Sequence, residues 1–190
     1  MSRSYYTLDK THPFTIRGTA KLLNAASAVY GGDWHSVPHT HNYMELFYIL
    51  GGKGQFLIQD QLYPVNANNL VIINPNITHT EVSVNAQPLE YIVLGIEGIE
   101  LSANEKSDGQ FHILGHFESA EISGCLRNIL REMEQKNTGH EDVCQAYMEI
   151  LNIRLMRNLR LPCQPTRRLF PETASVQLSS DTSICISKSL

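Results

Sequence analysis

Between residues 34 and 97 short apolar runs alternate with turn residues. The run 43–50 ends in Gly51-Gly52-Lys53-Gly54. Residues 55–59 follow, then a tight turn at Asp60-Gln61 and a run over 62–65. Asn66-Ala67-Asn68-Asn69 leads into 70–73, Pro75 and Asn76 make a corner before 78–84, and residues 85–88 turn the chain into 89–96. Apolar runs of this length, bounded by Gly, Pro, Asn and Asp, read as strands. About six of them at such close spacing predict a small antiparallel sandwich or barrel. Residues 1–30 carry a weaker pattern: an N-terminal arm with one short strand near Phe14 to Arg17, and a turn at Gly31-Gly32.

After residue 117 the period changes. Ile122, Leu126, Ile129, Leu130 and Met133 follow the spacing of one face of a helix. Thr138-Gly139-His140-Glu141 fits a capping box, in which the Thr138 hydroxyl accepts from the Glu141 N–H. A second helix is predicted over 141–159, with Val143, Tyr147, Ile150, Leu151 and Leu155 on one face and Ala146, Ile153 and Met156 widening it. An apolar surface that broad predicts more than one neighbour, and hence a homodimer built mainly by this helix. Pro162, Pro165 and Pro171 in a polar stretch read as a linker. Residues 180–190 resemble a helix start with Ser180 or Asp181 as N-cap and no stop signal, which suggests a deliberate truncation.

Composition narrows the function classes. The 190 residues suffice for one domain with a real core. No apolar run approaches the roughly 20 residues a membrane span needs, and residues 1–10 lack a signal-peptide core; a cytoplasmic location is expected. Cys125, Cys144, Cys163 and Cys185 form no CxxC pair and are expected to be reduced. A net charge of −4 argues against tight binding to phosphate backbones. The one basic stretch, Arg154, Arg157, Arg160, Arg167 and Arg168, reads as a solvated helix face and linker.

The candidate chemistry lies in His39-Thr40-His41-Asn42-Tyr43-Met44-Glu45. Strand parity puts residues 39, 41, 43, 45 and 47 on one face. Two imidazoles and a carboxylate then point the same way, a donor set suited to a first-row transition metal. His79, on a later strand, is the candidate fourth ligand, and His35 a spare. The same residues also suit a buried hydrogen-bonded network or a set of sugar contacts. Trp34 stacks on a sugar ring or simply packs at the rim. Gly51 to Gly54 precede no helix, so a hairpin turn accounts for them, and no Ser/His/Asp or Cys/His catalytic arrangement has supporting context.

These residues carry a resemblance. His39-x-His41, three residues, Glu45 and then Gly51-Gly52 resemble the first cupin motif. Aligned on His79, the second cupin motif has Asn68, Asn74 and Asn76 where Gly, Pro and Gly belong; asparagine tolerates left-handed backbone, so the turns can survive. The stretch from His39 through Tyr43-Met44-Glu45-Leu46-Phe47-Tyr48-Ile49-Leu50 to glycine resembles the H-x-H-x-x-x-E-L-x-Y-V-L-x-G segment of AraC-type transcription regulators. Leu62-Tyr63-Pro64 and Asn74-Pro75-Asn76-x-x-His79 resemble segments that follow it there.

The resemblance implies a mainly β fold, a cupin-like antiparallel β-barrel followed by a C-terminal pair of α-helices. It also implies a division into a sensor barrel with N-terminal arm (1–116), a helical dimerisation segment (117–160), and a linker with the start of a DNA-binding domain (161–190). Its implied function is non-catalytic sensing of a small polar effector such as a sugar by His39, His41, Tyr43, Glu45, His79 and Trp34, with residues 1–15 ordering over the barrel mouth. A single divalent transition metal on His39, His41, Glu45 and His79 is the candidate cofactor. DNA would be contacted only through the absent C-terminal domain. Two alternatives stay open: a metal-dependent cupin enzyme, such as an isomerase or dioxygenase, and a dimerisation domain with a vestigial pocket.

Overall fold

A computed structural model describes residues 19–30, 37–83, 86–101, 111–115, 117 and 119–159, together with the backbone of 163–165. The strand expected near Phe14 to Arg17, the Gly31-Gly32 turn, Trp34, His35 and the helix start at 180–190 lie outside the described residues.

The mainly β architecture with a following helix pair is what the chain adopts. The strands are β1 (Lys21–Tyr30), β2 (Met44–Gly51), β3 (Lys53–Ile58), β4 (Gln61–Asn66), β5 (Leu70–Ile73), β6 (His79–Ser83), β7 (Leu89–Glu97), β8 (Ile99–Leu101), β9 (Phe111–Leu114) and β10 (Cys163–Pro165). The helices are α1 (Ala120–Gln135) and α2 (His140–Leu159). A larger antiparallel sheet has the order β1-β7-β2-β5-β9, a smaller one the order β4-β3-β6, and β8 pairs with β10. The first strand expected after the arm is thus preceded by a ten-residue strand, β1, which pairs along β7 with a register shift between Leu22 and Asn24.

The larger sheet is a shared wall. The even-numbered side chains Met44, Leu46, Tyr48, Leu70, Ile72, Ile92, Leu94 and Ile96 pack with Ile122, Leu126, Ile129, Met148, Leu151 and Leu155 of the helices. The odd-numbered Phe47, Ile49, Val71, Ile73 and Tyr91 pack with Phe56, Ile58 and Val65 of the smaller sheet. Burial on both faces explains why 44–50, 70–73 and 91–96 read as continuous apolar runs and do not alternate.

Turn chemistry sets the register. Gln59 and Asp60, at φ 49° and 65°, form the two-residue turn between β3 and β4, one position earlier than expected. Asn68 and Asn76, at the positions where the resemblance put glycine, sit at φ 63° and 66°; asparagine does there what glycine otherwise does.

α1 starts at Ser119, whose hydroxyl accepts from the Ile122 N–H at 3.4 Å, and ends at Lys136 in a left-handed cap. Its buried residues, Ile122, Cys125, Leu126 and Ile129, match the expected face. α2 differs from expectation in two ways. It begins at His140, after Gly139 at φ 79°, and the Asn137 carbonyl accepts from the His140 N–H at 3.0 Å where a Thr138 capping box was expected. Its buried stripe is Cys144, Met148, Leu151, Asn152 and Leu155, whereas Val143 and Ile150 are exposed at 38% and 42%. Polar and apolar residues are mixed around α2, with Asn152 in the buried stripe and Ile150 outside it, so its periodicity does not mark which face meets the sheet. Arg154 of the basic stretch pairs with Glu121 of α1. Cys163–Pro165, expected as linker, pairs antiparallel with β8 as β10.

Candidate functional site

The structure brings His39, His41, Glu45 and His79 together, with one ligand atom from each lying within 4.8 Å of the others. The segment before β2 reaches the mouth between the two sheets. There the backbones of His39 and His79 exchange two hydrogen bonds of 3.0 Å, and the Asn76 N–H donates to the His41 carbonyl at 2.7 Å. The imidazole centroids of His39 and His41 lie 5.0 Å apart and those of His39 and His79 4.6 Å apart. Tyr43 stacks on His41 at 4.7 Å with an interplanar angle of 18°. His39 is exposed and His41 half-buried, while Glu45 and His79 are buried.

Beneath the cluster the space between the sheets is filled. Phe47, Phe56, Ile58, Val71 and Ile73 are each no more than 2% exposed, and Phe47 meets the His79 ring edge-on at 6.2 Å. The polar set therefore lies above this packed layer, with His39 exposed and His41 half-buried. Trp34, the remaining expected contact, lies outside the described residues.

Tautomer logic makes the cluster unusual. A carbonyl oxygen only accepts, so the ring nitrogens that touch one must carry a proton. His79 Nδ1 donates to the Ile77 carbonyl at 2.9 Å, and His39 Nδ1 donates to the Val37 carbonyl at 3.0 Å. Both rings are thus anchored through Nδ1 to the carbonyl two residues back, leaving Nε2 as the free atom. His79 Nε2 lies 2.8 Å from a Glu45 carboxylate oxygen. Two acceptors cannot share that distance without a proton or a metal ion between them. Burial pushes the His79 imidazole pKa down, but the Glu45 hydrogen bond, the Ile77 carbonyl and the charges of Glu45 and Glu81 outweigh burial and leave it raised. His41 Nε2 stands 3.6 Å from the other Glu45 oxygen.

The donor set fits a divalent transition metal. Donors about 2.0–2.2 Å from one ion lie at most about 4.4 Å apart, so a small inward movement of the accessible His39 and His41 suffices. The backbone carbonyls that hold Nδ1 are the partners that orient metal-ligating histidines.

A second polar group escaped the sequence reading. Glu81, buried in the inter-sheet space, accepts from the Tyr91 hydroxyl at 3.2 Å, and Tyr30 packs against Tyr91 with centroids 6.5 Å apart. Burial, then the Glu81 charge, pushes the Tyr30 hydroxyl up to about 12, and the same causes raise Tyr91 further. The signal was present: Glu81 lies two residues from His79 on one strand and so shares its face.

Among known families, the AraC-like ligand binding domain matches residues 26–151. An HTH-type transcriptional activator RhaR from Enterobacter sp. (strain 638) is 24% identical over 157 residues, covering 78% of this chain and 56% of that protein. One of the same description from Salmonella arizonae is 23% identical over 128 residues, covering 64% and 45%. The chain thus spans about half the length of the curated relatives it matches. Among solved structures, a cupin 2 conserved barrel domain protein from Salinispora arenicola is similar at 15% identity and TM-score 0.35, covering 50% of this chain and 89% of that one. YhaK from Escherichia coli is similar at 18% identity and TM-score 0.41, covering 57% and 49%.

Proposed function

The chain belongs to the AraC-like ligand binding domain family, and from that premise we propose that it is the effector-sensing and dimerisation part of a cytoplasmic transcription regulator, with no catalysis of its own. The effector is a small polar metabolite of the sugar class, held at the barrel mouth by His39, His41, Tyr43, Glu45 and His79. Tyr43 offers an apolar ring face, and the imidazoles and the carboxylate offer donors and acceptors to hydroxyls. Contact with DNA belongs to a further helical domain of the kind named in the HTH-type relatives. Among the described residues no helix is long and apolar enough to cross a membrane.

The observation that carries this reading is the anchoring of His39 and His79 through Nδ1, which leaves Nε2 as the free ring nitrogen of each in a cluster whose ligand atoms lie within 4.8 Å of one another. Anchoring of that kind prepares a binding site and contributes little to packing. The same geometry favours a metal: His39, His41, Glu45 and His79 would hold one divalent ion, which supplies a Lewis-acidic contact for a ligand oxygen. The exposed Val143 and Ile150, with Ala146 between them on the outer side of α2, offer the homodimer contact.

The test is calorimetry on chelator-treated protein, titrated first with Zn(II), Mn(II) or Ni(II) and then with a panel of sugars and related metabolites. One ion per chain is expected, lost in His41→Ala, and a sugar-class ligand whose affinity falls in Tyr43→Ala and Glu45→Ala. A ligand whose affinity ignores both substitutions moves the pocket elsewhere. Chemical turnover of that ligand by the metal-loaded protein replaces sensing with a metal-dependent enzyme.

A further inference from the structure

We infer that Asn74 couples the state of the histidine cluster to the pairing of β10, the strand through which the chain leaves α2. The link runs through one short loop. Residues 74–79 connect β5 to β6 and are pinned at three points. At the far end His79 is bonded to Glu45 through its ring and to His39 through its backbone. In the middle, Asn76 sits in left-handed backbone and donates its N–H to the His41 carbonyl at 2.7 Å. At the near end the buried Asn74 side chain makes two hydrogen bonds to the backbone of one residue: Nδ2 donates to the Leu101 carbonyl at 2.6 Å, and the Leu101 N–H donates to Oδ1 at 3.0 Å.

That pair of bonds is what a neighbouring strand would make. Leu101 ends β8, and Cys163 of β10 is its partner across the ladder. Because a residue's N–H and C=O point to the same side of a strand, Leu101 turns both toward Asn74, while β10 lies along the opposite edge of β8. A ribbon of two three-residue strands is marginal by itself. Asn74 supplies its missing third strand, and His112 Nε2 adds a 3.1 Å bond to the same Leu101 carbonyl. β10 follows the end of α2 at Leu159 by four residues, so the ribbon decides where the chain goes after the helix pair. A shift of His79 or His41 pulls on the loop at one end and on the ribbon at the other, and the coupling is reciprocal.

Adjacency alone does not establish coupling, so the test is a double-mutant cycle that needs no ligand and stands apart from the effector reading. Amide hydrogen exchange is followed in the full chain for wild type, His79→Ala, Asn74→Ala and the double variant. The probes are Glu100 and Leu101 in β8, Gln164 in β10, and Ile129 in α1 as a global reference. The expected result is that His79→Ala speeds exchange in the ribbon by about tenfold, leaves Ile129 unchanged, and has no further effect once Asn74 is alanine. Glu45→Gln, which keeps the side-chain shape, repeats the His79→Ala effect more weakly and covers the case of a poorly folded alanine variant. Three results overturn the inference: unaltered ribbon exchange in both His79→Ala and Glu45→Gln, the same increase with and without Asn74, or acceleration at Ile129 matching that in the ribbon.

Discussion

β2 has two faces that use one strand in opposite ways. Toward the helices it presents Met44, Leu46 and Tyr48, all buried in a dry core. Toward the smaller sheet it presents Ile49, Phe47 and then Glu45, a face that grades from apolar to charged along its length. Fully burying one leucine is worth about 1.5–3 kcal/mol, so the helix side stabilises with every residue. The other side gives up that gain at its open end, where the buried Glu45 carboxylate meets His79 Nε2 at 2.8 Å. The comparison teaches where binding can be placed: at the end of a sheet whose opposite face already holds the fold together.

Substitutions on each face should separate stability from binding. The largest effect expected is from Leu46→Ala, a cavity between sheet and helices that lowers unfolding free energy by about 2–5 kcal/mol. Denaturant unfolding measures it, and the variant's metal and ligand affinities should match wild type below the transition. A loss under about 1 kcal/mol would mean that the helices do not seal this face.

Glu45→Ala, one residue away, should show the reverse pattern. It leaves His79 buried without its acceptor and costs about 1–3 kcal/mol, while abolishing metal binding in the calorimeter. Retained metal affinity would remove Glu45 from the site.

The third expectation concerns pH in the chelator-treated protein. His79 has a folded-state pKa raised above its ordinary 6.5. Its contribution to stability is therefore fully present below about 6.5 and is lost as pH rises through the raised value. Urea midpoints measured across neutral pH should fall in wild type and flatten in His79→Gln. Metal binding should show the opposite trend, strengthening as pH rises, because the ion takes the place of the proton. Leu46→Ala removes no titratable group and should leave the pH dependence of both profiles unchanged in shape.

The smallest effect on the protomer is expected on the outer side of α2. Ile150→Glu should change its stability by no more than about 0.5 kcal/mol, yet shift sedimentation toward the monomer. Unchanged sedimentation would place the dimer contact elsewhere.

Much of this was legible in the chain. The six strands between residues 43 and 97 were marked by their turn residues, and α1 by its single apolar stripe. β1 was not: its Lys-Leu-Leu-Asn-Ala-Ala-Ser-Ala-Val-Tyr sequence has no alternation, and it is a strand because β7 offers it an edge. β8, β9 and β10 are three or four residues long, too short to show a period. In the site, parity expected a strand through 39–47, but β2 begins at Met44, so of His41, Tyr43 and Glu45 only Glu45 lies on a strand, and the bend at 42–43 brings His41 to 3.6 Å from it. The asparagines at 68 and 76 did what glycine would have done, as their tolerance of left-handed backbone allowed.

Local rules in the chain encode the turn positions, the central strands and the helix pair, and they mark the histidines and glutamate that the fold brings together. Tertiary structure decided which face of α2 is buried, that the cluster opens at the mouth over a filled interior, and that the Ile77 and Val37 carbonyls hold two imidazoles by Nδ1. It also decided that Asn74 serves β8 as a substitute strand. Each of these depends on which backbone group a side chain meets, and every residue supplies the same N–H and C=O, so only the folded chain specifies the partner.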